Sequence, residues 1–256
     1  MNTNNRYCGD KITVIKDKKL DLSHKVVDYL NTISEETERD IHISIRKSMN
    51  NMPASFTMDT DKIIIYIDPS LFQSKKHMEF SICHEATHGR LIYSLGFCSP
   101  RKKRLLNSVE AQEISLIVSM IDDIPVNKIL ENEGLPYFIS YFFETLNRET
   151  RAAKKRDKKY YYPFSEDNYL ISRFMTYRYV CSWIHLNLFE LDTVYVNIIK
   201  KYQRVFQNSY PSEYELANRT IDIIQKYDFL DKDEHFNLHK EIYALWGLTH
   251  LVEPSY

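Results

Sequence analysis

With 256 residues and 34 basic side chains against 35 acidic ones, the chain has a net charge of -1 and enough length for one large core or two modest ones. That balance excludes a global attraction to nucleic acid or anionic membrane, and no apolar run approaches the length of a spanning helix. Five glycines and 19 tyrosines suit a helix-rich protein with short connections.

The four cysteines, Cys8, Cys83, Cys98 and Cys181, form no C-x-x-C and no regular framework, as expected in a reducing compartment. The first residues lack the apolar core of a signal peptide, so a cytoplasmic protein without membrane attachment is expected.

In chain order, 11–16 reads as a short strand, and Ser23 as the N-cap of a helix carrying Val26, Val27, Leu30 and Ile33. Ile41 to Arg46 alternates apolar and polar residues, the pattern of a half-buried strand with His42 on its exposed side. Ala54–Met58 and Lys62–Ile67 flank Asp59-Thr60-Asp61 as the arms of a hairpin, and the continuously apolar second arm predicts a buried strand. Asp68-Pro69-Ser70 ends that strand. A helix from about Lys75 to Leu95 follows, closed by Gly96.

This helix carries Ser81-Ile82-Cys83-His84-Glu85-Ala86-Thr87-His88-Gly89. Residues i and i+4 stand one above the other, so His84 and His88 can reach one metal ion, while Glu85 lies about 100° further round, beside the ion's open position. Phe80, His84, His88, Leu91 and Leu95 share one face, which directs the histidines inward. The plain alternative is two core histidines bonded to backbone carbonyls; the H-E-x-x-H spacing on an apolar stripe favours the metal.

Arg101-Lys102-Lys103-Arg104 reads as a solvated loop rather than a phosphate contact, because no aromatic residue interleaves the run. The basic block from Arg148 to Lys159, leading into Tyr160-Tyr161-Tyr162-Pro163, reads as a linker. Four amphipathic helices follow. They are centred on Tyr169 to Ile184, Leu191 to Phe206, Glu213 to Tyr227 and Glu234 to Leu248. His235 and His239 are four apart, so a second metal site is conceivable, but a solvated helix face is the expected reading. The resulting division is a catalytic domain over 1–147, a basic linker over 148–164 and a helical subdomain over 165–256.

A catalytic zinc takes three protein ligands and leaves one position open. The metzincin closure requires glycine three residues and histidine six residues beyond the second motif histidine; Leu91 and Ser94 stand there, so it is excluded. The helix opening at Ser108 places Ile114, Ile117, Met120, Ile121 and Ile124 on its apolar face, and Glu110 and Glu113 fall on that face too. Carboxylates on a core-facing stripe are costly unless paired or metal-bound. Glu113 is therefore the favoured third ligand, with Glu110 as the alternative or as a partner behind the ligands. Asp122 and Asp123 are a further possibility, since a histidine ligand's free N–H commonly needs a carboxylate; on an unbroken helix they point away from the stripe, and Pro125 leaves that continuity open.

With its strands, its H-E-x-x-H helix and the acidic helix after it, the segment 11–130 resembles the gluzincin-type zinc metallopeptidases. Among them it is similar to the small cytosolic zincins that include the repressor-cleaving peptidases of mobile elements. The resemblance implies an α+β fold whose N-terminal half is zincin-like, a small sheet packed on the H-E-x-x-H helix with an edge strand that holds substrate, and a mainly helical C-terminal half. It also implies a Zn2+ ion, a protein or peptide substrate, and hydrolysis with Glu85 as general base. The N-E-x-x-x-D and E-x-x-A-D patterns of well-known gluzincins are absent around Glu110 and Glu113, so the third ligand stays open. The alternative function is a nucleic-acid- or protein-binding module on the same scaffold, engaged through the two basic segments without proteolysis.

Overall fold

Isoleucines at every second position make the floor of a four-stranded sheet. In the computed structural model, which describes residues 12–15, 20–47, 53–135, 140–161 and 167–256, the strands are β1 (Ile12–Ile15), β2 (Asp40–Ile45), β3 (Ala54–Met58) and β4 (Lys62–Ile67). Their order is β1-β2-β4-β3, with β1 and β2 parallel, β2 and β4 parallel, and β3 antiparallel to β4 at the edge. The outer residues of the expected first strand, Lys11 and Lys16, lie outside the described residues, as do Cys8, Tyr162 and Pro163.

The hairpin is present with Ala54 opposite Ile67 and Met58 opposite Ile63. Its second arm is less enclosed than a continuous apolar run suggests. Ile63, Ile65 and Ile67 are buried, whereas Ile64 and Tyr66 face the other way and are half-buried. Arg46 covers Tyr66 on that side, its guanidinium 3.4 Å from the ring centre.

Two helices cover the isoleucine face. α1 (His24–Thr37) begins after Ser23, whose side chain makes no cap; its backbone N–H donates instead to Glu79 Oε1 at 2.6 Å. Glu79 belongs to α2 (Lys75–Tyr93), the motif helix. Further ties join the pair: Tyr29 to Thr87 at 2.8 Å between hydroxyls, and Arg90 to Glu36 at 2.6 and 2.8 Å. The chain leaves α2 through Gly96 in the left-handed region, φ 69°.

The described chain forms two compact units: one from residues 1–97 and 126–138, the other from 98–125 and 139–256. The architecture is α+β, and the second unit is mainly helical. α3 (Ser108–Asn132) is a single helix that runs through Pro125 and passes from the second unit into the first. The first core joins Leu30, Ile33, Ile43, Ile65 and Ile82 to Val126 and Leu130; the second takes Ile114, Ile117, Ile121 and Ile124 from the other part of α3.

The second unit also contains α4 (Ser140–Lys154), α5 (Asn168–Leu188), α6 (Thr193–Ser209), α7 (Pro211–Ile224) and α8 (Lys232–Leu245). The last four correspond to the four expected helices. The division at 148–164 does not correspond: that segment holds the end of α4 and a single 3-10 turn, and Ala152, Ala153 and Tyr161 lie in the second core. Arg148, Arg151 and Lys154 take the exposed side of the helix, whose other side is buried. Arg101 to Arg104 is likewise more than a loop, since β5 (Ser99–Lys102) pairs antiparallel with β6 (Val252–Ser255).

Gly89 sets the closeness of α2 to the sheet. A Cβ there would stand 2.7 Å from Cδ1 and 3.2 Å from Cγ2 of the fully buried Ile63. Overpacking of this kind costs ~1–3 kcal/mol, and an exchange to alanine recovers only ~1 kcal/mol of helix propensity. Gly89→Ala should therefore lower stability in denaturant titration, and adding Ile63→Val, which removes the nearest atom, should restore part of the loss. Simple additivity of the two changes would contradict the contact.

In the second unit, Arg178 Nε lies 2.9 Å from Glu149 Oε1, joining α5 to α4, and both side chains are largely buried. Glu149→Ala, by leaving the guanidinium unpaired, should cost ~3–5 kcal/mol in the same measurement. A cost below 1 kcal/mol would place residues 148–154 outside the packed structure.

Candidate metal centre

Ser74 starts the motif helix by accepting a hydrogen bond from the His77 backbone N–H at 3.1 Å, which fixes where the helical phase begins. From that start His84 and His88 fall one above the other. Their Nε2 atoms are 3.3 Å apart. Two nitrogens bound at about 2.0–2.1 Å to one tetrahedral ion stand about 3.3 Å apart, so the pair already has the spacing of two zinc ligands.

Aromatic neighbours hold both rings. Phe56 of the edge strand β3 stacks on His88 with ring centres 5.2 Å apart and planes 1° from parallel; Phe80, one turn back on α2, lies 5.6 Å from His84. His84 Nδ1 is 3.1 Å from the side-chain oxygen of Asn127 on α3. That oxygen can only accept, so the proton of a neutral His84 belongs on Nδ1 and the lone pair on Nε2, the nitrogen facing His88. Glu85, half-buried, is the next residue on α2.

Asp123 precedes Asn127 by one turn of the same unbroken helix, which fixes its position relative to Asn127 by helix geometry. Two imidazoles and a carboxylate, with a fourth position left over, are the donor set of a catalytic zinc. The sequence reading had Asp123 only as a further possibility. The continuity of α3 through Pro125 places it on the same face as Asn127.

Glu113 and Glu110 have other partners. Glu113 is buried as its place on the apolar stripe demands, and its Oε1 lies 2.8 Å from Arg173 Nε and accepts from the Tyr169 hydroxyl at 2.8 Å. Burial nevertheless raises its pKa, against the opposing effect of Tyr169 and Arg173. Glu110 accepts from Arg104 at 2.6 and 3.0 Å and from the Asn107 backbone N–H at 3.0 Å, while Asn107 Oδ1 accepts from the N–H groups of Val109 and Glu110. Asn107 and Glu110 are thus a reciprocal cap, a pattern visible in N-x-x-E at the start of a helix.

His185, a conceivable oxyanion donor, lies on α5 with its ring 4.4 Å from Phe142 and 5.7 Å from Phe189. Burial lowers its pKa to about 4, with Arg178 acting in the same direction and Asp123 against it, so the imidazole is neutral at neutral pH. His235 and His239 are the clearest reversal of the sequence reading. They are 1% exposed, because they share the inward stripe of α8 with Leu238, Ile242 and Tyr243.

Among the described residues, no helix is long and apolar enough to cross a membrane. Comparison of the chain with protein-family models, curated proteins and solved structures finds no match to any of them.

Proposed function

We propose that the protein is a zinc-dependent peptidase whose ion is held by His84, His88 and Asp123, with Glu85 as general base. The observation that carries this reading is the 3.3 Å convergence of the two histidine Nε2 atoms beside a glutamate that follows the first of them. Asp123 is preferred to Glu113 because it lies one helical turn before Asn127, the residue that bonds His84, whereas Glu113 is bound to Arg173 and Tyr169.

When bound, the zinc ion supplies Lewis-acid polarisation of the scissile carbonyl and brings the pKa of water toward neutrality. Glu85 accepts the proton of the attacking water and returns it to the leaving amine. Asn127 keeps the His84 lone pair directed to the site, and Phe56 and Phe80 restrict rotation of the rings. The zincin-like character of the N-terminal unit is supported by the sheet order, which leaves β3 at the edge, paired with β4 alone among the described residues. An extended peptide added along β3 lies beside Phe56, hence beside His88.

The basic segments give less support to a nucleic-acid module. Arg101 and Lys103 pair with Glu253, and Arg104 pairs with Glu110, so these cations are engaged within the chain.

The test is metal analysis of the full chain alongside cleavage of a mixed peptide library. Glu85→Gln should keep the ion and lose at least about 100-fold in rate. Asp123→Ala should lose that ion, while Glu113→Ala should keep it. Asn127→Leu should weaken zinc affinity about 10- to 100-fold without touching the ion. A chain whose zinc content is the same with and without His84 and His88 would overturn the reading.

A further inference from the structure

We propose that the second unit holds a metal ion of its own, a zinc bound by Cys98, His235 and His239, with the Asp122 carboxylate beside the two imidazoles. This assignment uses none of the residues of the candidate catalytic site and stands independently of it.

Three residues of metal-ligating type meet here from two distant parts of the chain, and a carboxylate from a third stands beside them. Cys98 directly precedes β5, Asp122 lies within α3, and His235 and His239 are four apart on α8. Cys98 is 2% exposed and the two histidines are 1% exposed. Ligand atoms of Cys98, His235 and His239 are all within 4.8 Å of one another. Cys98 Sγ is 3.8 Å from Nδ1 of His235, while Asp122 Oδ1 lies 3.3 Å from Nε2 of His235 and 2.7 Å from Nε2 of His239, so the thiol and the carboxylate approach opposite nitrogens of the His235 ring. Asp122 therefore stands on the far side of His235 from Cys98 and orients the rings, as does Tyr243, whose hydroxyl lies 3.0 Å from Nδ1 of His239.

The chemistry of the set decides the kind of ion. One thiolate and two imidazoles are sulfur and nitrogen donors of zinc. Binding is a displacement with balanced charge: Cys98 releases its proton to solvent as the Sγ–metal bond forms, and the imidazoles bind neutral. The thiolate and the neighbouring Asp122 carboxylate then offset the 2+ charge within the core. Without the ion, a carboxylate, a thiol and two imidazoles share one buried volume, a costly arrangement for polar groups. With it, the segment leading into β5 is joined to α8, so the ion's binding energy becomes folding energy of the second unit.

Cobalt(II) tests this directly, because a thiolate ligand gives a sulfur-to-cobalt charge-transfer band that histidine and carboxylate ligands do not. The full-length chain is loaded with cobalt, beside a His84→Ala/His88→Ala double variant and Cys98→Ser. The band should appear in the parent chain, persist at full intensity in the double variant and vanish in Cys98→Ser, with one fewer ion bound in the last. A chelator should lower the melting temperature of the double variant, whose only remaining ion is the one proposed here. Should Cys98→Ser fail to fold, His239→Gln serves as the second variant, and the band should lose intensity there. Absence of the band from the parent chain, its survival in folded Cys98→Ser, or its loss in the double variant would each overturn the proposal. The last result would leave the catalytic reading intact, so the two fail separately.

Discussion

The candidate site depends on the distance between one helix and one strand. α2 can lie against β4 only because residue 89 has no side chain, and Ile63 fills the space that a Cβ would need. That approach brings the residue before Gly89, His88, within stacking distance of Phe56 on the neighbouring strand. The glycine, the isoleucine and the phenylalanine are therefore parts of one spacing device: the first two set the gap, and the third fixes the ring that the gap delivers. Contacts to α1 through Glu79, Thr87 and Arg90 hold the helix along its length, so ligand geometry is set by packing from two sides.

Much of this was legible in the sequence. The H-E-x-x-H spacing, the turn residues between Met58 and Lys62, and the helical periodicity beyond residue 168 each have a local physical cause, and local causes survive folding. The reading failed where charge was taken as a sign of exposure. Residues 148–159 are dense in cations, yet Glu149, Ala152 and Ala153 recur at helical spacing and are buried; Arg148, Arg151 and Lys154 mark the outer face of α4, and the other cations lie in the turns after it. His235 and His239 failed in the same way. Leu238, Ile242 and Tyr243 complete an i, i+3, i+4, i+7, i+8 stripe with them, so periodicity already pointed inward, and only the polarity of imidazole argued otherwise.

Other features had no local signature. Nothing near Cys98 in sequence indicates that it meets a helix beginning at Lys232. The parallel pairing of β2 with β4, with β3 returned to the edge, is a tertiary choice that a run of isoleucines does not encode. Asp123 is an intermediate case. The sequence reading counted a continuous α3 against it, because continuity turns it away from the Ile114 stripe; α3 is continuous, and the face Asp123 occupies is that of Asn127, which the stripe did not reveal. Glu113 shows the converse: the burial of an acid on an apolar stripe was read correctly, and Arg173 and Tyr169, both distant in sequence, offset its cost.

The edge position of β3 has a consequence for the solution behaviour of the protein. A strand paired on one side presents backbone donors and acceptors that any extended segment can satisfy, including the same strand of another copy. Five residues is a short template, and Ser55 and Thr57 break the run of apolar side chains along it. Both features weaken self-pairing, while a peptide drawn along the strand gains the neighbourhood of Phe56 and His88 as well as the backbone pairing. The strand is thus guarded against aggregation by its brevity, and an occupied edge is the better-protected state of the molecule.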